Sequence, residues 1–156
     1  MQWLPLIAGF CVGVVIGALL FTSTGRYLKT GWLILQVAPY EQVGEPDRRL
    51  LVLGDSTGYG TGADDASQSV AGRLGQQYPS LTIINDSKNG RQLAAGIDRA
   101  HSLQGQYQLV LVQMGANDLL AQRPVEDVVA DMKTLIELIR PQAQYVLVMT
   151  AGNIGG

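Results

Sequence analysis

Apolar and polar positions alternate in blocks through residues 48–156. Short, largely apolar runs occur at residues 50–53, 81–84, 109–114 and 145–149, broken only by Thr82 and Gln113. Runs of that length, apolar on successive residues, are the pattern of strands buried on both faces. Between them, apolar residues recur at helical spacing. Val70, Ala71, Leu74 and Tyr78 mark a helix over residues 67–78, which Pro79 stops. Leu93, Ile97, Ala100 and Leu103 mark another over 91–103. Val125, Val128, Val129, Met132, Leu135, Ile136 and Ile139 form the stripe of a third over 125–139. Pro124 suits the first turn of that helix and Pro141 follows its end. Strands alternating with helices predict an α/β fold, a three-layer sandwich with a parallel sheet between helices. Such sheets bind ligands beyond the carboxyl ends of their strands. Here those ends carry residues 54–56, 85–90, 115–118 and 150–152, so polar and glycine residues gather at one predicted edge.

The beginning of the chain follows another pattern. Residues 4–21 are eighteen residues without a charge. At a helical rise of ~1.5 Å per residue they reach ~27 Å, enough to cross a hydrocarbon core. Gly9, Gly13 and Gly17 fall on one face of such a helix, as in close-packed membrane helices. No Lys or Arg precedes the run and no small-x-small site follows it, which favours an uncleaved anchor over a signal peptide. Residues 1–22 are therefore expected to be a transmembrane anchor and residues 23–47 a juxtamembrane linker. Arg26 and Lys29 after the run favour a cytoplasmic domain, but two charges leave the side of the membrane open. Residues 48–156 make one domain.

Composition narrows the chemistry. Eleven Lys and Arg against thirteen Asp and Glu give a net charge of -2, with no basic stripe, so nucleic acid is excluded as a partner. The single cysteine, Cys11, excludes an intrachain disulfide and any Cys-based zinc site. The single histidine, His101, leaves no material for a His-rich metal centre. The hydrolase reading below requires neither a metal nor an organic cofactor.

The densest candidate chemistry is Gly54-Asp55-Ser56-Thr57-Gly58-Tyr59-Gly60-Thr61-Gly62, directly after the first strand. From Gly58 to Ala63 it matches G-x-G-x-x-G/A, and Asp86 follows the next strand where a ribose-binding acid belongs. A dinucleotide site places its first glycine directly off the strand, however, and here four residues intervene. The alternative is that Ser56 is a nucleophile. A serine hydroxyl needs a base for its proton and donors for the oxyanion formed on attack. A strand end followed by a turn presents both a hydroxyl and free backbone N–H groups.

Two further blocks support the second reading. Asn89-Gly90 follows the second strand, and Gly115-Ala116-Asn117-Asp118 follows the third. With Gly54-Asp55-Ser56, these resemble the blocks of the SGNH (GDSL-type) hydrolase family, in the family's order and at the right strand ends. The resemblance runs from about residue 48 onward and implies a flavodoxin-like SGNH hydrolase fold. It implies that Ser56 is the nucleophile, and that the Ser56 N–H, the Gly90 N–H and the Asn117 side-chain amide form the oxyanion hole. Gly54, Asp55, Gly115 and Asp118 would support that site, with both aspartates holding loops by accepting backbone N–H groups. The substrate would be a small-molecule, lipid or carbohydrate ester.

The family's base is a C-terminal histidine three residues after an aspartate, and residues 150–156 contain neither. His101 does follow Asp98 by three, but on the helix predicted over 91–103, where such a pair is more simply a surface contact. The chain is expected to be a hydrolase incomplete at its C-terminus, with its base beyond Gly156 and weak activity or none. A non-catalytic binding module on the same fold is the rival of another class, followed by a dinucleotide-binding protein. Asn85-Asp86-Ser87 also spells a glycosylation sequon, read as accidental.

Overall fold

The structure, a computed structural model, describes residues 38–149. The expected membrane anchor over residues 1–22 lies outside them. Among the described residues, no helix is long and apolar enough to cross a membrane. The elements follow in the order β1 (Glu45–Gly54), α1 (Ser56–Tyr59), a 3-10 turn (Ala66–Gln68), α2 (Val70–Gln77), β2 (Leu81–Ser87), α3 (Leu93–His101) and β3 (Tyr107–Gln113). Then come α4 (Ala116–Leu120), α5 (Val125–Ile139), a second 3-10 turn (Arg140–Gln142) and β4 (Ala143–Val148).

The four strands form one parallel sheet in the order β2-β1-β3-β4. The most apolar run takes a central place: Leu50, Leu51, Val52 and Leu53 of β1 are all at most 1% exposed. From β1 the chain crosses to β2 on one side and then returns to β3 on the other. Right-handed crossovers consequently send α2 and α3 to opposite faces. The strand order reverses between β1 and β3, and in such sheets ligands bind beyond the carboxyl ends of the strands at that switch point.

The two faces are closed unequally. On one, Leu51, Leu53, Val110 and Val112 pack against Leu93 and Ala100 of α3 and Val128, Leu135 and Ile139 of α5. Each such buried aliphatic side chain stabilises the fold by about 1.5–3 kcal/mol. On the other, Leu50, Val52, Ile83 and Leu111 are covered by Ala71, Val70 and Leu74 of α2, with Tyr40 alongside. That cover stops short of β4, where Tyr145 and Leu147 are 61% and 55% exposed.

Two expected elements are shaped differently. The helix over residues 67–78 is interrupted at Ser69, whose extended backbone ends the 3-10 turn and caps α2, its hydroxyl accepting from the Gly72 N–H at 3.0 Å. The third helix has the expected limits, but only part of its stripe is buried: Val125 and Val129 remain exposed. It packs beside α3 and against β4, and among the described residues no element covers the far side of the stripe.

Candidate active site

The first turn is built by its own sequence. Asp55 continues the pairing of β1, donating its N–H to the Gln113 carbonyl at 2.9 Å. Its side chain then accepts from the Thr57 N–H at 2.8 Å and so caps α1. A short polar side chain ahead of a helical turn does this because it satisfies an N–H that no helical carbonyl can reach. Ser56 is the first residue of α1, half-buried, with its own N–H free of intrahelical bonding. Gly60 ends the turn in the left-handed region at φ 90°.

The glycines of this stretch fit tightly against β2. A Cβ on Gly58 would lie 2.5 Å from the Ser87 Oγ, and one on Gly54 would lie 2.6 Å from the same atom. Gly58 is therefore a buried packing position inside α1, and the phosphate-cradling role suggested by its spacing does not fit. Asp86, the acid that a dinucleotide site would need, is occupied: Arg91 and Arg99 both pair with its carboxylate. The sequon is equally closed, since Asn85 and Ser87 are 6% and 9% exposed within β2.

The second block is a tight turn after β2. The Lys88 N–H donates to the Gly54 carbonyl at 3.1 Å, and the Arg91 N–H donates to the Lys88 carbonyl at 3.1 Å. Gly90 sits inside that turn at φ 76°, a backbone conformation that only glycine adopts without strain. The Thr61 hydroxyl donates to the Asn89 Oδ1 at 2.6 Å, tying the loop after α1 to this turn.

The third block follows β3. Gly115, at φ 111°, bends the chain into α4, a short helix that the apolar periodicity does not predict. The Asn117 side-chain amide donates to the Arg91 carbonyl at 3.1 Å. Asp118 is fully buried; its Oδ2 accepts from the Leu93 N–H at 3.0 Å and its Oδ1 pairs with Arg123 at 2.6 Å. Arg123 reaches on to Asp131 of α5 at 2.7 Å. These carboxylates raise the Arg123 guanidinium above an arginine's ordinary pKa, Asp131 more than Asp118.

The loops bearing Ser56, Gly90 and Asn117 are thus hydrogen-bonded to one another at a single sheet edge. Asp55 and Asp118 accept backbone N–H groups there, Gly54 makes the close approach to β2, and Gly115 makes the bend. His101 is not among them. It ends α3, exposed, and α3 runs from the Ser56 edge to the opposite one. Arg91, Arg99, Arg123 and Asp131 escape sequence reasoning, because their partners lie five to thirteen residues away at spacings that no helix or strand pattern marks.

The description that matches residues 52–156 is the GDSL-like lipase/acylhydrolase family. An arylesterase from Vibrio mimicus is 31% identical over 110 residues, which cover 67% of this chain and 55% of that protein. The chain therefore spans about half the length of that relative. Among solved structures, AlinE4, an SGNH-hydrolase family esterase, aligns with a TM-score of 0.60 and 26% identity over 74% of this chain and 66% of its own. TesA aligns with a TM-score of 0.61 and 25% identity over 66% of this chain and 60% of its own. With the family match spanning all three strand-end blocks, and with the parallel sheet found in its solved relatives, the chain belongs to the SGNH (GDSL-type) hydrolases.

Proposed function

We propose that this chain is a serine ester hydrolase in which Ser56 attacks the ester carbonyl. The observation that carries the reading is the convergence of Ser56, Gly90 and Asn117 at the switch point of the sheet, through loops bonded to one another. Ser56 Oγ bonds to the carbonyl carbon, and the oxyanion is received by the Ser56 and Gly90 N–H groups and the Asn117 amide. Collapse expels the alcohol, which takes up the serine proton, and leaves an acyl-serine. Water then releases the acid and restores the hydroxyl. An uncharged amide suits the Asn117 role because it donates without competing for protons, and loss of one such donor costs ~3 kcal/mol of barrier.

Among the described residues no imidazole stands beside Ser56. Turnover by this chain is therefore expected to be slow, carried by the oxyanion donors and by binding. The substrate class is a small-molecule, lipid or carbohydrate ester. The apolar segment at residues 4–21 supports a tether that holds the domain at a membrane, which alkaline carbonate washing of membranes tests directly.

The test of the chemistry is labelling by a fluorophosphonate, read by mass spectrometry of the tryptic peptide. The expected adduct lies on Ser56 and disappears in Ser56→Ala, together with any hydrolysis of p-nitrophenyl acetate. An adduct elsewhere, or undiminished hydrolysis by Ser56→Ala, overturns the reading.

A further inference from the structure

We infer that Arg91 is a positioning residue for the oxyanion donors, acting through a clamp on Asp86. The inference rests on the esterase reading of Ser56, Gly90 and Asn117 and adds to it what holds the second and third donors in place.

Arg91 is engaged at three points. Its Nη2 pairs with the Asp86 Oδ1 at 3.0 Å while its Nη1 donates to the Asp86 main-chain carbonyl, so the planar guanidinium grips one residue twice. Its N–H closes the turn around Gly90 on the Lys88 carbonyl. Its carbonyl accepts one hydrogen of the Asn117 amide. An amide nitrogen carries two hydrogens, so this bond orients Asn117 and leaves the second free for an oxyanion. One residue therefore sets the Gly90 N–H and the Asn117 amide relative to each other.

The clamp is sheltered. The Arg91 side chain is 10% exposed and that of Asp86 is 18% exposed, which distinguishes this pair from a solvated surface one. Arg99 of α3 holds the other Asp86 oxygen, so Asp86 is fixed from the helix as well. The start of α3 has a second anchor that does not involve the Arg91 side chain, the Leu93 N–H on Asp118. Loss of the clamp should loosen one turn and leave the sheet intact.

The experiment compares Arg91→Ala and Arg91→Lys with the full wild-type chain. It reads fluorophosphonate inactivation kinetics at Ser56, far-UV circular dichroism, and hydrogen-exchange protection of the amide at position 91, which closes the turn around Gly90 on the Lys88 carbonyl. In Arg91→Ala the maximal labelling rate is expected to fall about thirtyfold, in keeping with the cost of small misplacements at reacting groups. The probe's half-saturating concentration and the circular dichroism should not change, and the amide at position 91 should lose about tenfold in protection. Arg91→Lys, a point charge without the fork, should recover only a small part of the labelling rate. Unchanged protection at position 91, a labelling rate equal to wild type, full rescue by Arg91→Lys, or a loss of labelling that follows a loss of circular dichroism each overturns the inference. If wild-type Ser56 takes no label, the esterase reading fails instead, and the protection at position 91 alone decides the clamp.

Discussion

The turn that carries Ser56 and the shelf that carries Gly90 and Asn117 meet at the same strand ends, yet they are held by different means. The Ser56 turn is capped by the residue before it, with Asp55 accepting from Thr57 two positions on. The shelf is held by bonds between separate elements, at chain separations of 5 to 25 residues: Asp86 with Arg91 and Arg99, and Asp118 with Leu93 and Arg123. A nucleophile has to sit on a rigid strand end, which short-range bonding secures. Oxyanion donors have to converge from two other strand ends, and only bonds between elements can align them. The contrast predicts that damage to the shelf should leave the Ser56 turn locally intact.

The largest effect should come from Asp118→Ala. It removes the acceptor of a buried N–H and one partner of Arg123, at an expected cost of about 2–3 kcal/mol in urea denaturation. In the native state of that variant, the Thr57 amide should stay as protected from exchange as in wild type. Equal loss of protection at Thr57 and at Leu93 would break the comparison, because the two regions would then open together.

A smaller loss is expected for Gly58→Ala. An alanine inside a helix ordinarily gains about 1 kcal/mol over glycine. Here its Cβ would lie 2.5 Å from the Ser87 Oγ and 3.3 Å from the Ser87 Cβ, and overpacking of that kind costs about 1–3 kcal/mol. Ser87→Ala removes a buried hydroxyl that has no hydrogen-bond partner among the described residues, so it should be close to neutral alone and should recover most of the loss in the double variant. Urea midpoints of the four proteins give the coupling. Additive effects would mean that the turn does not fit against β2 as tightly as the geometry requires.

The smallest effect concerns the loop beyond the Ser56 turn. The Ser67 hydroxyl and N–H hold the Asp65 carboxyl below the usual carboxylate range. Because the folded-state pKa is depressed, the stabilisation is present above the unfolded value of about 3.9 and is lost as pH falls through the folded one. Wild type should therefore exceed Asp65→Asn slightly at neutral pH, with the difference closing in acid. A difference that widens in acid would reverse the assignment.

Much of the fold was legible because it rests on burial repeated along the chain. Four apolar runs and three helical stripes mark the strands and the covering helices, since a side chain that enters the core must recur with the period of its element. The shortfalls have the same origin. Helix α4 and the capped turn at Ser56 are too short to show a period, and Val125 and Val129 obey the helical period yet stay exposed among the described residues. The Ser69 break depends on one hydroxyl rather than on periodicity.

Taken alone, the sequence determined the layers and the strand ends at which polar and glycine residues gather, with Asp55 capping locally; it was the resemblance to the SGNH hydrolases that singled out Ser56, Gly90 and Asn117 at those ends. The layers and the cap follow from neighbouring residues, whose interactions depend on chain spacing. Only the tertiary structure decided that Gly58 is a packing position under Ser87, that Asp86 is held by two arginines, and that His101 lies at the far edge from Ser56. It also decided that Arg91 and Asp118 join the second block to the third. Those outcomes depend on which strands become neighbours, and crossovers that bring distant residues within 3 Å leave no period or spacing in the chain to read.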